Sequence, residues 1–437
     1  MDKLSPSHLP ASTRRTFLAL AGGLSLGGVL AACGGDSGGL DTGGGGKPTL
    51  KQWYHLYGEA GTEQAVKNYA KSYPAVNVEV QWTPGDYTSK LSSGLLSDSG
   101  PDVFECGIDG QFSVDMVKSG QVVPLDDIVG AVRGDYTDSD IKSTSVGGKV
   151  YGVKIVDDTG FLYYRKSMLQ QAGVRPPATM DELIDAAKAL TRDSVKGLFI
   201  GNDAGVTPAF GGGALLGPVL WMAGTDYLTS DNKVGFATAE AKDAFTKLRA
   251  LAGGGSLLLG APTDWWDPSA FTQGLAAMQW CGLWALPKIQ QALGDDFGIV
   301  PWPALSPTVG KPSTFLGGWA SFVSAKSRNV AAAKDFTKWL WVDNKQNQED
   351  FNLSYGFHVP PRKSLAESAQ KLRAGVAAEA LKIFNQYAVP FNPMWTQKMR
   401  TAYADAATAI VRQNADITSS LATAKAAVDA ELARLAS

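Results

Sequence analysis

The sequence predicts an α/β protein, a parallel-type sheet with helices on its faces, in a chain long enough for two globular domains. Strand and helix patterns alternate from residue 50 to residue 105, and that alternation implies the sheet. The chain has 437 residues, 44% of them apolar types. Single cores stop growing near ~250–300 residues, so this length divides into two. Gly and Pro are frequent, 49 and 22 residues, and outside the N-terminal region they punctuate periodic segments, as they do in the loops of an ordered protein.

Ahead of these elements the chain carries an address. Arg14 and Arg15 precede an apolar run over 17–32. The run falls short of the ~20 residues a transmembrane helix needs, and it suits the apolar region of an export signal. The paired arginines resemble a twin-arginine signal, with Ala19 where a Lys often follows. Leu30-Ala31-Ala32-Cys33-Gly34 closes the run and resembles the bacterial lipobox, in which the Cys is acylated and becomes the new N-terminus. Residues 1–32 are thus expected to be a twin-arginine lipoprotein signal, with Cys33 as the lipidation site. Residues 33–48 are Gly-rich and read as a flexible tether. Lipid chains contribute about 0.8 kcal/mol per buried methylene, enough for a multiply acylated Cys to hold the protein on a membrane surface. The expected location is extracytoplasmic, anchored to the bacterial cell membrane.

In the body, 50–56 reads as a strand, followed by Gly58 and Gly61 and a helix with Val66, Tyr69, Ala70 and Tyr73 on one face. Pro74 stops it. Val76, Val78 and Val80 alternate with polar residues, giving a second strand with one face in the core. Residues 87–96 read as a helix with Leu91, Leu95 and Leu96 inward, and 101–105 as a third strand. Ligands of such sheets sit beyond the carboxyl ends of the strands, which singles out the loops 57–61 and 107–111. Thr179 and Glu182 form a capping-box pattern ahead of a helix over 181–190. Later helices fit 330–341, 401–412 and 419–435. No internal repeat is visible.

Composition narrows the function. The formal net charge of −2 and the lack of a Lys/Arg run give no nucleic-acid footprint. Cys106 and Cys281 lie in apolar, strand-like contexts typical of buried thiols, although one bridge remains open. A Ser-His-Asp triad would have to draw on His55 or His358, neither with an obvious Ser partner. No metal-ligand spacing appears, and no motif commits a pair of carboxylates to glycoside hydrolysis. These observations point away from an enzyme, and no metal or cofactor is expected.

The segments Gly148-Lys149-Val150-Tyr151-Gly152, Asp158-Thr159-Gly160-Phe161-Leu162-Tyr163-Tyr164-Arg165-Lys166 and Ala172-Gly173-Val174-Arg175-Pro176-Pro177-Ala178-Thr179-Met180-Asp181-Glu182-Leu183 resemble extracellular solute-binding protein family 1. So do Phe271-Thr272-Gln273-Gly274-Leu275-Ala276-Ala277-Met278 with Gly282-Leu283-Trp284 behind it, the Gly317-Gly318-Trp319 segment, and Tyr355-Gly356-Phe357-His358-Val359-Pro360-Pro361-Arg362. Lys154, Arg165 and Met180 depart from the family's Pro, Asn and Trp. The family comprises maltose-binding-protein-like carbohydrate receptors of bacterial ABC importers.

The resemblance implies a two-lobed periplasmic-binding-protein fold, type II-like, with hinge strands and a ligand cleft between lobes. Mapped here, lobe one is 48–157 with 317–362 and lobe two is 158–316 with 363–437. It implies a monomer that binds a mono- or oligosaccharide and delivers it to membrane permease subunits. The alternative is a receptor for a non-sugar solute, a glycerophosphodiester or polyamine, and behind it a surface glycoside hydrolase.

Sugar C–H faces stack on aromatic rings, and hydroxyls bond best to charged acceptors. Trp284 and Trp395 fall where the resemblance places stacking aromatics of lobe two, and Trp319 follows the double Gly at the lobe crossing. Glu59, Asp109 and Asp158 match acidic or polar sugar contacts. Arg362, Tyr57, Asp157 and His55 are further candidates. Core filling for the tryptophans, and helix caps or solvated loop charges for the carboxylates, are the competing readings. Trp265 and Trp266 are adjacent and should face opposite sides, one of them toward the cleft. Trp339 and Trp341 read as structural, and Trp53 and Trp82 as core.

Overall fold

The computed structural model describes residues 47–108, 110–206 and 216–437. The export signal, Cys33 and the tether up to residue 46 lie outside the described residues, as does Asp109. The strands are β1 (Thr49–His55), β2 (Asn77–Thr83), β3 (Val103–Gly107), β4 (Ser145–Val146), β5 (Lys149–Val150), β6 (Gly152–Asp158), β7 (Gly160–Tyr164), β8 (Lys196–Phe199), β9 (Ala276–Gly282), β10 (Gly298–Val300), β11 (Thr314–Val323) and β12 (Ala388–Pro390). They build a sheet in the order β12-β11-β3-β1-β2, with β6 also on β11, and a second in the order β10-β7-β9-β8. β4 and β5 form a small ribbon.

Strand position explains strand sequence. β2 is an edge strand and alternates exposed with half-buried residues, as the Val76, Val78, Val80 pattern requires. β3 and β9 are interior strands and buried at every position, and β6, which pairs with β11, is equally buried because Gln348 and Asn352 cover its carbonyls. The first three strands pair in parallel, as expected from the alternation. The second sheet is mixed, because β7 runs antiparallel to both β9 and β10.

β6 is unusual among these buried strands because it carries Lys154, Asp157 and Asp158 into the interior. Lys154 Nζ is paired with Asp157 and lies 3.2 Å from Asp140 Oδ1, so no charge in the group is alone. β6 also bulges. Trp319 on β11 faces Val156 while Ala320 faces Lys154, leaving Ile155 as the extra residue. The carbonyls of Lys154 and Ile155 are taken by the buried amides of Gln348 and Asn352, at 3.0 and 2.8 Å. Gly318 sits opposite at φ +102°, and a Cβ there would come 2.1 Å from the Val156 carbonyl oxygen, so the double glycine is a steric requirement.

The helices follow the sequence with local departures. The helix Met180–Leu190 opens with the expected Thr179–Glu182 capping box. The helix from Tyr87 ends at Gly94, and the turn after it carries Leu96 outward to 68% exposure, against the expectation that Leu96 points inward. The helix from Val330 gives way at Trp339 to a wider π-helical turn, and a second such turn spans Phe351–Tyr355. Trp341 is fully buried, as expected of a structural residue. Trp82, expected in the core, is only half-buried because β2 is an edge. No helix of the described residues is long and apolar enough to cross a membrane.

Two strands join the sheets. The chain leaves the first sheet at Asp158 and enters the second at Gly160, and β11 begins beside that crossing. Thr314 Oγ1 lies 2.8 Å from Thr159 Oγ1 and donates to the Gly160 carbonyl at 2.5 Å. The two crossing segments are therefore stitched together by buried hydroxyls.

Candidate ligand-binding site

β1, β3 and β6 run in the same direction within the first sheet, so His55, Gly107 and Asp158 end at one sheet edge. Gly317, Gly318 and Trp319 of β11 pass through that edge. Sequence-predicted residues Tyr57, Glu59, Asp158 and Trp319 are brought together there, with His55 among them.

Glu105 organises this edge. It is 2% exposed, yet both carboxylate oxygens are used. Oε1 accepts from the His55 amide at 2.6 Å and contacts the His55 imidazole, and Oε2 accepts from the Tyr57 hydroxyl at 2.7 Å. The Tyr87 hydroxyl donates to the Glu105 carbonyl at 2.8 Å. Burial, reinforced by the Glu105 charge, raises the Tyr57 and Tyr87 hydroxyls well above the usual phenol range, so both remain protonated donors. Held this way, His55 stacks on Trp319 with ring centres 3.8 Å apart and planes 15° from parallel. Tyr57 leans on Phe351 and His358 edge-on.

The second organiser is His358. Its Nδ1 lies 2.6 Å from Asp158 Oδ1, and its Nε2 lies 3.0 Å from Glu59 Oε1. Burial alone would push the imidazole pKa down, but Asp158 and Glu59 outweigh it and hold the group at about 10. His358 is therefore an imidazolium at neutral pH. The same contact holds Glu59 below the ordinary carboxylate range in spite of its burial. Nε2 and Oε1 are close but not aligned, and neither has a hydrogen bond among the described residues. The ion-pair partners of Glu59, Glu105 and Asp158 among the described residues are the two histidines alone.

Trp284 approaches from the second sheet. β7 pairs Gly160 with Gly282 at the end of β9, and the Leu283 amide donates to the Thr159 carbonyl at 2.9 Å. Trp284 is thus fixed beside the strand crossing. Its ring lies over Gly282, where a Cβ would come 2.0 Å from it. The indole N–H donates to the Trp266 carbonyl at 2.9 Å, and Trp265 meets the ring edge-on at 5.9 Å.

Three other candidates are placed elsewhere. Trp395 is 2% exposed in the second sheet's core, stacked on Tyr227 at 4.8 Å and edge-on to Phe236 and Tyr403. Arg362 is equally buried, but its guanidinium is spent on Asp135 Oδ2 at 2.8 Å and the Val342 carbonyl at 2.9 Å. Asp157 is occupied by Lys154, and burial and the nearby Asp140 raise its pKa.

The sequence does not single out Glu105, and it offers His358 only for a triad or a zinc site, both rejected, and as part of the family-like turn 355–362. A signal for Glu105 existed: a carboxylate inside the otherwise apolar strand Val103–Gly107 needs a partner. Cys106 and Cys281 are buried thiols with no bridge between them. Among the described residues no group of three or more His, Cys, Asp or Glu could hold a metal ion.

The model of the bacterial extracellular solute-binding protein family matches residues 64–381. The diacetylchitobiose binding protein DasA of Streptomyces coelicolor is 27% identical over 409 residues, covering 87% of this chain and 90% of that protein. The galactooligosaccharide-binding protein of Bacillus subtilis is 24% identical over 360 residues, covering 79% and 82%. The fold is similar to that of the GacH receptor of Streptomyces glaucescens, with a TM-score of 0.74 at 22% identity over 88% of this chain and 98% of that one. The maltotriose binding protein of Thermus thermophilus gives 0.69 at 20% identity over 88% and 100%. The fold is accordingly the two-lobed α/β architecture of periplasmic solute-binding proteins, and the chain belongs to the family of bacterial extracellular solute-binding proteins, whose members work outside the cytoplasm.

Proposed function

We propose that the protein binds a carbohydrate between the two sheets and delivers it to the permease subunits of an ABC importer. The observation that carries this reading is the pairing of Glu59 Oε1 with His358 Nε2, buried, 3.0 Å apart and each without a hydrogen bond among the described residues. A hydroxyl is donor and acceptor at once and would complete both. Trp319 and Trp284, both half-buried, supply aromatic surface for sugar C–H faces, and buried Tyr57 backs Trp319. The carboxylates Glu59, Glu105 and Asp158, with no Lys or Arg paired to them among the described residues, disfavour a phosphodiester. DasA and the Bacillus subtilis relative are likewise named for sugars.

The protein captures and releases without breaking a bond. Lobe one is 48–157 with 317–362, lobe two is 158–316 with 363–437, and the stitched segments at Thr159 and Thr314 are hinge strands. Closure is favoured only by contacts that the closed state adds. The monomer is tethered through acylated Cys33, as its lipobox-like sequence supports. Titration with a broad panel of mono- and oligosaccharides should give a saturable Trp fluorescence change with some member. Silence across the panel, with binding of glycerophosphocholine or spermidine, would refute the carbohydrate reading.

A further inference from the structure

We infer that Lys154 is a positioning residue that, by pairing with Asp157 across the β6 bulge, fixes which of the tandem aspartates, Asp157 or Asp158, faces His358 and the ligand. That the site takes a sugar rests on the carbohydrate reading above; the placement of the two aspartates does not.

In a regular strand successive side chains alternate, so a residue and the third one after it face opposite sides. Lys154 and Asp157 have that spacing, yet both are buried and they form an ion pair. The bulge at Ile155 makes this possible. Against β11, Lys154 stands opposite Ala320, Val156 opposite Trp319, Asp157 opposite Gly318 and Asp158 opposite Gly317. Opposed residues share a face, so Lys154 and Asp157 lie on the Ala320 face and Asp158 on the Trp319 face. Regular pairing onward from Lys154 would put Ile155 opposite Trp319 and Asp157 opposite Gly317. A slip of one residue exchanges the two faces of a strand, so Asp157 would then stand where Asp158 now faces the site.

The pair resists that slip. Asp140 Oδ1 lies 3.2 Å from Lys154 Nζ, and Asp140 Oδ2 accepts from the Thr137 hydroxyl and amide, at 2.5 and 3.2 Å. Those two bonds belong to the capping box of the helix Asp138–Ser143, so the ammonium is tied to an element outside the strand. Slipping the strand would pull Asp157 from its cation and leave a buried charge uncompensated, which is strongly unfavourable. The consequence reaches the site through the main chain. The Asp157 amide donates to the Val359 carbonyl at 2.9 Å, and the Val359 amide to the Asp157 carbonyl at 3.1 Å. Val359 follows His358, so the same register sets the imidazole beside Asp158. Lys154 departs from the family-like pattern, which has Pro there, and a proline could make no such pair.

The test is the proton titration of His358, followed by NMR of histidine-labelled protein and assigned with His358→Asn. In the native background Asp158→Asn should lower the His358 midpoint by about one unit or more, because an adjacent carboxylate is lost. In the Lys154→Met background the Asp158→Asn effect should shrink to less than about half, and Asp157→Asn should lower the midpoint instead. Lys154→Met/Asp140→Asn removes one of the two carboxylates that the first variant leaves without a cation, and carries the same comparison with less strain on the fold. In both backgrounds, affinity for the panel sugar that the native protein binds most tightly should fall about fivefold or more. An undiminished Asp158→Asn effect in these backgrounds, whatever the urea midpoint, overturns the lock and leaves the carbohydrate reading standing. No binding of any panel sugar by the native protein overturns the carbohydrate reading, and the His358 titration still decides the lock.

Discussion

Glu105 and Trp284 stand on opposite sheets and hold their surroundings by different means. Glu105 is charged, 2% exposed, and fixes His55 and Tyr57 through its two carboxylate oxygens. Trp284 is half-buried and held by one indole hydrogen bond and ring packing. The first-sheet wall is a network in which each polar group depends on another, whereas the second-sheet wall is largely apolar surface. Networks fail as units and packed surfaces fail locally. Substitutions on the first wall should therefore cost stability and binding together, and those on the exposed part of the second should cost binding alone.

The largest effect tests the limits of that contrast. Trp395 belongs to the second sheet but is packed among Tyr227, Phe236 and Tyr403, so Trp395→Ala should lose about 3–5 kcal/mol of unfolding free energy in urea. A variant of native stability with weakened sugar binding would move Trp395 out of the core and into the site. His358→Leu should cost a similar amount, about 3–5 kcal/mol, by leaving Glu59 and Asp158 buried without their cation.

The same group sets a pH dependence. The folded-state value of about 10 lies above the ordinary 6.5, so the contribution of His358 is complete below pH 6.5 and disappears as the pH rises toward 10. Urea midpoints measured across that window should decline in the native protein, and His358→Asn should remove that part of the decline. An equal slope in both would separate His358 from the alkaline response.

Glu105→Gln is intermediate. It presents an amide N–H where one of its oxygens now accepts a hydrogen bond, and should cost about 1–3 kcal/mol of stability. Sugar affinity should fall with it, because His55 and Tyr57 lose their anchor. Lost stability with unchanged affinity would break the link between network and binding. Trp284→Ala should be mildest for the fold, with affinity reduced about tenfold, equivalent to about 1.4 kcal/mol. Unchanged affinity would remove Trp284 from the site.

The two walls were unequally legible in the sequence. Trp284 could be placed because a short local pattern, Gly282-Leu283-Trp284, follows a recognisable strand. The strand alternation and the Thr179 cap were visible for the same reason, since their determinants are near neighbours in the chain. Glu105, His55 and His358 were hard to join because their contacts span 50 and 200 or more residues. Arg362 shows the reverse difficulty. It lies in a family-like turn, but its partner Asp135 is 227 residues away, and the spacing gives no sign of the pair. Trp395 could be located next to a helix, but not which side of the aromatic layer it would join.

The burial of Cys106 and Cys281 has an experimental consequence. Both side chains are fully enclosed, and burial pushes the Cys281 thiol far above the usual range, away from the reactive thiolate. In a chain that starts after residue 33, these are the only thiols. A single cysteine introduced at exposed Leu56 or Leu259 would therefore be the one position a maleimide dye modifies in the native state. Two such cysteines, one beside each sheet, would turn the molecule into its own distance gauge, with energy transfer between the dyes reporting whether the lobes move together when a sugar arrives.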